Sequence, residues 1–435
     1  MRGKNTRRSR RTKELARSSG QGAQEDEHQQ KPSAPGQHVP WVLTSPQKIA
    51  SELSLFDYAD DMKPYMLDLV HRAFTLVKPS TYTVEIVLVD GPRSDMFCFS
   101  DFSRYPGLLH AILFTSQAFY DLSLGLPYGK IAQLHLAKTL YHLQRSLSDK
   151  NEATADSTLT VVLSLATAAA ILGDLETVKK HMSGVCRMIE LRGGIKTIER
   201  GSMIEHKARR IDFGLALSTG QNLNFLQENI SWDPQVAHGI DVTRLSELRM
   251  LNPPPDPRLL NIWADLRVFT RAANEATKTG VKMPPDFFSR VSSSVPFRLL
   301  ALQFDPTSLP ELLRLCMLAY MKSVLIQIDG LGPQIKHLAD CLKGALLAHQ
   351  LPPAPEFAKF FLWAFLVSTL SIFENLDQDW LRVAMVETAK SLSCRTWAET
   401  RVILKEFLWI DMIHNQRGKQ IFDRWLDPGR SSSGL

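Results

Sequence analysis

Two adjacent helical segments constrain the fold of this chain more strongly than any other feature. The segment Thr154–Leu172 is largely apolar, the segment Asp174–Leu191 is amphipathic, and Gly173 separates them. In the second segment the apolar residues recur at steps of three and four, which places them on one face of an α-helix. They are Leu175, Val178, Met182, Val185 and Ile189. The pattern predicts two helices, the second with a stripe that faces a core.

The residues at both ends of the second segment fit a helix that starts and stops there. Asp174 is suited to cap the N-terminus, Arg192 lies in the last turn, where the helix dipole favours a cation, and Gly193-Gly194 ends the pattern. Gly184 lies in the middle of the segment, where a glycine lowers the stability of a helix by about 1 kcal/mol relative to alanine. We therefore expect a neighbouring helix, most simply the preceding segment, to approach closely at Gly184.

Capping patterns indicate further helices in the C-terminal half. Ser308–Glu311 has the form of a capping box and predicts a helix that runs to about Ile328. Thr396–Glu399 has the same form and predicts a helix through His414. Together these features predict an all-α fold, a multi-helix bundle or array of antiparallel helical hairpins.

Three segments depart from the helical pattern. Pro253–Pro255 and the stretch Thr277–Pro296, which is rich in Gly, Pro and Ser, are predicted loops. Tyr82–Val89 is rich in β-branched residues and alternates in part, so we expect a short, isolated strand there.

The composition divides the chain into a tail and a body. Residues 1–45 contain few large apolar residues and are predicted to be disordered. A helical domain is predicted over residues 46–426, because Ser45-Pro46 reads as an N-cap followed by proline at the first helical position. The loops near residues 250–296 suggest an internal division, and residues 427–435 form a short C-terminal tail.

The positive charge of the chain resides in its tail. The formal net charge is +6, and residues 1–17 alone hold eight Arg or Lys against one acid. The rest of the chain therefore carries a net charge of −1. A nearly neutral body argues against a large nucleic-acid-binding face.

A dense basic run within the tail is the strongest functional feature. Arg7, Arg8, Arg10, Arg11 and Lys13 are typical of a nuclear-import signal and also suit weak, non-specific contact with phosphate. The alternative is a solvated basic tail without a receptor. We predict that the protein is located in the nucleus.

Membrane insertion and motif-based catalysis find no support in the sequence. The two uncharged apolar runs, Leu159–Leu172 and Phe360–Phe373, have 14 residues each, whereas a membrane helix needs about 18 or more. No C-x-x-C pair or familiar catalytic motif occurs. His135 and His142 share a helix face, but two helical turns separate them too far for both to bind one metal ion. We therefore predict no metal, no cofactor and no catalytic residues.

Tryptophan is concentrated near the C-terminus. Five of the tryptophans lie in this part of the chain, namely Trp363, Trp380, Trp397, Trp409 and Trp425. The first interpretation is a bulky hydrophobic core. The alternative, an aromatic ligand pocket, remains open, because small-molecule pockets are often lined in this way.

Several motifs resemble a known family. The stretch Gly173–Ile195 (GDLETVKKHMSGVCRMIELRGGI) resembles the fungal-specific transcription factor domain, whose members carry a helix that ends in a similar Arg-Gly-Gly pattern. The resemblance extends over most of residues 50–426, and its further segments are Asp101–Leu122, Lys207–Gly220, Phe373–Leu381 and Thr396–Trp409.

The resemblance implies control of transcription by a helical regulatory body and provides no catalytic residues to transfer. Members usually couple this body to an N-terminal zinc cluster of six cysteines, but the first cysteine here is Cys98. We therefore expect a transcription-factor-like regulatory protein without its own zinc-cluster DNA reader. It would bind other transcription regulators or a small effector. The alternative is a helical small-molecule-binding protein or enzyme with a buried aromatic pocket.

Overall fold

Helices joined by short turns account for the part of the chain that the computed structural model describes. That part comprises residues 53–54, 56–81, 83–88, 99–199, 201–225, 230–241, 246–248, 251, 255–326, 335–373 and 379–426. It lies within one compact unit, Val42–Leu435. The all-α prediction is confirmed, since the described residues contain no named strand and a single isolated bridge, between Leu88 and Met283.

The helices are numbered in chain order. The first eight are α1 (Pro64–Arg72), α2 (Lys78–Thr81), α3 (Phe99–Arg104), α4 (Pro106–Ser123), α5 (Lys130–Ser148), α6 (Asp156–Ile171), α7 (Leu175–Leu191) and α8 (Met203–Thr219). The others are α9 (Pro257–Thr279), α10 (Pro285–Ala301), α11 (Leu309–Leu325), α12 (Lys336–Leu347), α13 (Ala358–Ser368), α14 (Asp379–Ser391), α15 (Trp397–Leu404) and α16 (Asp411–Leu426). π-Helical turns, Ala73–Val77 and Thr369–Phe373, extend α1 and α13.

Three large apolar cores and a small cluster of Val77, Phe119 and Ile171 hold these helices together. An N-terminal core lies among α1, α3, α4, α5 and one face of α6, and a middle core lies among α7, α8 and the other face of α6. The third and largest core joins α9 to α16 and also receives Phe213 and Leu217 from α8. Among the described elements, α4 packs most extensively on α5, and α6 on α7.

The predicted pair of helices forms as α6 and α7. The Asp174 side chain caps α7 by accepting a hydrogen bond from the backbone N–H of Thr177 at 3.0 Å. Val178, Met182 and Val185 are buried in the middle core, as the apolar stripe predicted. The amphipathic pattern therefore fixes which face of α7 packs on α6.

The C-terminus of α7 ends in a Schellman motif. The N–H of Gly194 donates to the carbonyl of Ile189, and the N–H of Gly193 donates to that of Glu190. The φ angles of Gly193 and Gly194 are +105° and +99°, a region that residues with a Cβ rarely adopt. Arg192, at the same end, pairs with Asp156 in the first turn of α6 at 2.5 Å. The pair joins the negative end of one helix dipole to the positive end of its neighbour.

Gly184 does not mark a close helix contact, and the prediction of one was wrong. Gly184 is exposed, and a Cβ atom built on it would meet no atom within 4 Å. The buried stripe of α7 lies on the opposite side of the helix, since Met182 and Val185 flank this position and point into the core. Periodicity alone would have placed Gly184 on the outer face.

The predicted strand over Tyr82–Val89 is also wrong. Thr83–Val87 forms a 3₁₀ helix instead, while Tyr82 and Val89 lie outside the described residues. Val84 and Val87 are both buried, and their spacing of three matches the 3₁₀ repeat.

Most of the loop predicted over Thr277–Pro296 is helical. Helix α9 continues to Thr279, and α10 begins at Pro285, a residue suited to the first helical position. Pro296 lies inside α10, where a proline costs about 3 kcal/mol. Burial of Val291, Val295 and Leu299, one turn apart and fully buried, contributes roughly 1.5–3 kcal/mol each and outweighs that cost. The predicted division near residues 250–296 stays a prediction.

The helix predicted from Thr396 through His414 is interrupted. A capping box at Thr396 opens α15, as predicted, but α15 ends at Leu404 and α16 begins at Asp411. Phe407–Ile410 between them are all buried, and four consecutive residues of a helix cannot all face one core. Asn274 of α9 stabilises the break by donating to the Trp409 carbonyl and accepting from the Asp411 N–H.

Other predictions fall partly outside the described residues. Ser308 caps α11 as expected, and the described helix ends at Leu325, so Ile328 is not covered. The predicted tail over 1–45, the Ser45-Pro46 start, Pro253-Pro254 and residues 427–435 also lie outside the described ranges. None of the described helices is both long and apolar enough to cross a membrane.

Replacement of Gly184 by alanine is expected to stabilise the protein. The side chain meets open space, so the substitution removes the backbone-entropy cost of glycine, about 1 kcal/mol, without a clash. Urea unfolding followed by circular dichroism measures the gain. The control, Gly193→Ala, should destabilise, because φ there is +105°. Destabilisation by Gly184→Ala would contradict the exposed placement.

Candidate functional site

The basic residues predicted from the tail have no described placement. Arg7, Arg8, Arg10, Arg11 and Lys13 all precede residue 53, where the described part of the chain begins. Their role in nuclear import or phosphate contact therefore stays a prediction.

The motif residues of α7 do not converge on one pocket. Asp174 lies at one end of the helix and Arg192, Gly193 and Gly194 lie at the other, so about 25 Å of helix separates them. Gly184 is exposed between the two ends. Their observed contacts are helix caps and one interhelical ion pair, which position α7 against α6.

A polar network with two buried histidines and a partly exposed ion pair lies between α4 and α5. His110 of α4 approaches His135 of α5, with 3.1 Å between the two Nδ1 atoms. The Nε2 atom of His110 lies 3.0 Å from the Asp60 carboxylate, which also accepts from Lys138 at 2.6 Å. The Tyr65 hydroxyl lies 3.3 Å from Nε2 of His135. We call these five residues the histidine network.

The chemistry of the end groups fixes the direction of its hydrogen bonds. A carboxylate only accepts, so His110 donates from Nε2 to Asp60, and its neutral Nδ1 is left to accept from His135. The Nε2 atom of His135 then accepts from the Tyr65 hydroxyl. All of the ring nitrogens have partners when both histidines are neutral.

The electrostatics agree with neutral rings. Burial lowers the pKa of His110 to about 4 and the pKa of His135 to about 4. The hydrogen bond from Lys138 is the main cause that lowers the pKa of Asp60 to about 2. The network therefore holds one carboxylate, one ammonium group and two uncharged imidazoles near neutral pH.

Sequence reasoning found only part of this network. The spacing of His135 and His142 correctly indicated a shared side of α5, and the ring of His142 stacks on His110 at 5.8 Å. His110 and Asp60 were missed, because they lie on other segments and no sequence spacing connects them. Within the described residues, no group of three or more His, Cys, Asp or Glu side chains could hold a metal ion.

A cleft opens beside the corner between α6 and α7. It holds about 50 Å³ of space, and its walls are mainly apolar. Lys207 and Arg210 of α8 are the two cations that line it, and Arg210 donates to the Thr81 carbonyl at 2.5 Å. We call this the α6–α8 cleft; other lining residues are Thr81, Ile171, Leu175, Val178, Gly214 and Ile326.

The C-terminal tryptophans pack as core, which confirms the first interpretation. Trp363 and Trp409 are fully buried, and Trp380, Trp397 and Trp425 pack partly buried against the same core. Trp363 stacks on Phe407, with 5.6 Å between the ring centroids.

Comparison with known proteins identifies the segment that carries α3 to α8. Residues 95–223 match the sequence model of the fungal specific transcription factor domain. Over this segment the chain is similar to that family. No curated protein and no solved structure matches the chain. The resemblance noted from the sequence is thereby confirmed over residues 95–223; the similarity seen at Phe373–Leu381 and Thr396–Trp409 lies beyond the matched segment.

The matched segment contains most of the features described above. His110, His135 and His142 lie within it, and so do the Arg-Gly-Gly turn after α7 and most of the residues that line the α6–α8 cleft.

The histidine network should make stability depend on pH. Because the folded pKa values of His110 and His135 lie below the ordinary value of 6.5, the unfolded chain binds more protons as pH falls. The free energy of unfolding should be highest above about pH 6.5 and should decrease as the pH falls to about 4. The expected loss is on the order of 2 kcal/mol per histidine. Urea unfolding between pH 7 and pH 4.5 measures the slope.

Single substitutions test whether the histidine network causes this pH dependence of stability. His110→Gln and His135→Gln should each reduce that slope, although both lower stability at pH 7. His238→Gln, at an exposed position, serves as the control and should leave the slope unchanged. If the slope is the same in the unaltered protein and in all three variants, the assignment of His110 and His135 as uncharged is contradicted.

Proposed function

We propose that this chain is a regulatory protein of transcription whose helical body acts by binding other molecules. The observation that carries the proposal is the match of residues 95–223 to the fungal specific transcription factor domain. The match supports a transcription-factor-like role. Binding of other transcription regulators, or of a small effector in the α6–α8 cleft, is the mechanism that we propose for that role.

We further propose that the chain acts without its own zinc-cluster DNA reader. A cluster of six cysteines cannot form ahead of the domain within this sequence, because no cysteine precedes Cys98. Outside the first 17 residues the net charge is −1, so a broad attraction to DNA is also lacking. Any contact with nucleic acid would come from the tail and would be weak and non-specific.

The alternative, an enzyme or small-molecule-binding protein with a buried aromatic pocket, receives less support. The aromatic residues on which it rested pack into the large core, and Trp363 and Trp409 have no exposed surface. The family provides no catalytic residues either. We therefore propose no catalytic role.

The tail is expected to direct the protein to the nucleus. Replacement of Arg7, Arg8, Arg10, Arg11 and Lys13 by alanine in the full chain should abolish nuclear accumulation of a fluorescent fusion, because the dense cationic run is removed. The matched control replaces Lys4 and Arg17, which flank the run, and should accumulate normally. Cytoplasmic retention of the unaltered chain would reject the nuclear proposal.

DNA binding by the purified chain should be weak and strongly dependent on salt. With eight cations in the tail, the logarithm of the binding constant should fall against the logarithm of salt concentration with a slope no steeper than about −7, from about −0.9 per phosphate. Anisotropy titrations with several unrelated duplexes measure the slope and should give equal affinities. Tight, salt-resistant binding to one sequence would refute the absence of a DNA reader.

A further inference from the structure

A second cavity lies between the end of α8 and the helices α10, α11 and α12. It holds about 170 Å³ of space, compared with about 50 Å³ in the α6–α8 cleft. A cavity of about 150 Å³ can hold benzene, so a molecule of roughly ten non-hydrogen atoms or fewer fits here. We call this the α8–α12 cavity. Its apolar lining includes Leu217, Leu315 and Leu338, and its polar lining includes Gln221, Gln303 and Arg314.

A thiol and an imidazole lie together in the lining of this cavity. The Sγ atom of Cys341 lies 3.7 Å from the Nε2 atom of His337, one turn earlier in α12. Cys341 is half-buried and His337 is exposed, so both are accessible to a molecule that enters from solvent. When Nε2 carries no proton it accepts the hydrogen bond from the thiol, and it can take that proton as the sulfur reacts.

The backbone of Gly220 holds the imidazole in its place. Gly220 ends α8 with a φ angle of +72°. A Cβ atom built on it would lie 2.7 to 2.8 Å from three atoms of the His337 ring. The ring therefore packs directly on the glycine, and a side chain at this position would push the imidazole away.

The other cysteines of the described residues have a different setting. Cys316 and Cys394 are buried in the largest core. Cys186 is half-buried like Cys341, but burial and the carboxylates of Asp212 and Glu190 raise its pKa to about 11. A thiol with a histidine in contact and a cavity in front of it is thus particular to Cys341 among these four.

The charges around Cys341 make the histidine necessary. Burial is the main cause that raises the pKa of this thiol; the carboxylates of Glu311 and Asp340 also raise it, and the Arg314 guanidinium lowers it. The thiol is therefore protonated near neutral pH. Since the thiolate is the nucleophile, reaction needs a proton acceptor, and His337 is in position to serve as one.

Arg314 has donors for an oxygen atom of a ligand. Its Nε and Nη2 atoms donate to the Glu311 carboxylate at 2.8 and 2.5 Å, and its Nη1 atom donates to the Leu299 carbonyl at 3.0 Å. A guanidinium has five N–H donors, so two remain after these three bonds. A carbonyl oxygen is a suitable acceptor for them.

We propose that Cys341 is a modification site for small α,β-unsaturated aldehydes and ketones that enter the α8–α12 cavity. The mixed lining suits this class, because the carbonyl oxygen accepts from Arg314 and the hydrocarbon part contacts the leucines. The proposal goes beyond the proposed function, since the reaction is a property of the purified chain whether or not that chain regulates transcription.

The reaction is an addition in which no atom is lost and no oxidant is needed. The Cys341 sulfur forms a bond to the β-carbon, and the electron pair of the C=C bond moves toward the carbonyl oxygen to give an enolate. The thiol proton passes to His337 and from there to the α-carbon. Donors near the carbonyl oxygen stabilise the charge that develops on it.

The reagent 2-cyclohexen-1-one tests the proposal, because its ring is about the size of benzene and fits the cavity. The full chain is incubated with it near neutral pH, and peptide mass spectrometry measures the rate of modification at each cysteine. Each rate is divided by the rate of the same cysteine in urea, where the fold no longer protects it. The normalised rate at Cys341 should exceed that at Cys186 at least about tenfold.

Variants separate the contribution of the histidine from that of the cavity. His337→Gln should slow the reaction at Cys341 at least about tenfold, because glutamine cannot accept the proton. His238→Gln, at an exposed position, is the control and should leave the rate unchanged. Ala301→Phe, at an exposed position in the cavity lining, should also slow the reaction because it fills part of the space. Far-UV circular dichroism confirms that the variants fold.

Two outcomes would overturn the proposal. One is an equal normalised rate at Cys341 and Cys186, and the other is a rate at Cys341 that His337→Gln leaves unchanged. A rate that falls in His337→Gln but not in Ala301→Phe would show that the thiol reacts from open solvent, which refutes the assignment to the cavity. None of these rates depends on nuclear accumulation, so failure here is distinguishable from failure of the proposed function.

Discussion

The burial of α6 on both of its faces is the constraint on which the N-terminal half of the structure depends. Leu159 and Leu163 pack into the middle core, while Val161 and Leu165 pack into the N-terminal core. A helix that is apolar all round must be covered on all sides. The apolar sequence of α6 therefore requires α4 on one side and the amphipathic helices α7 and α8 on the other. Arg192 then fixes the register of α7 by pairing with Asp156.

This layering explains why α5 remains an outer helix. Helix α5 packs mainly on α4 and to a smaller extent on α6, and α4 is itself buried over most of its length. With α4 shared between α6 and α5, the far side of α5 has no described element to cover it. Several large apolar residues of α5 therefore remain between 42% and 58% exposed.

Local sequence patterns predicted the structure well where the interaction partners are close in the chain. The cap at Asp174, the stripe of α7 and the capping box at Thr396 involve neighbours within one or two turns, and all three are present. The break at residues 405–410 depends on Asn274, more than 130 residues away, and no local pattern reports it. The histidine network likewise joins Asp60, His110 and His135, whose partnership exists only after α4 and α5 pack.

Two buried carboxylates of the body each hold a neighbouring loop in place. Asp265 is fully buried and accepts hydrogen bonds from the backbone N–H groups of Gln235, Val236 and Ala237 and from the Arg298 guanidinium. Asp212 similarly holds the backbone of Asn224 and Phe225. A carboxylate saturated by backbone donors stabilises a loop and has no lone pair directed at a substrate. Because these interior charges are used for structure, they are not available to recognise other molecules.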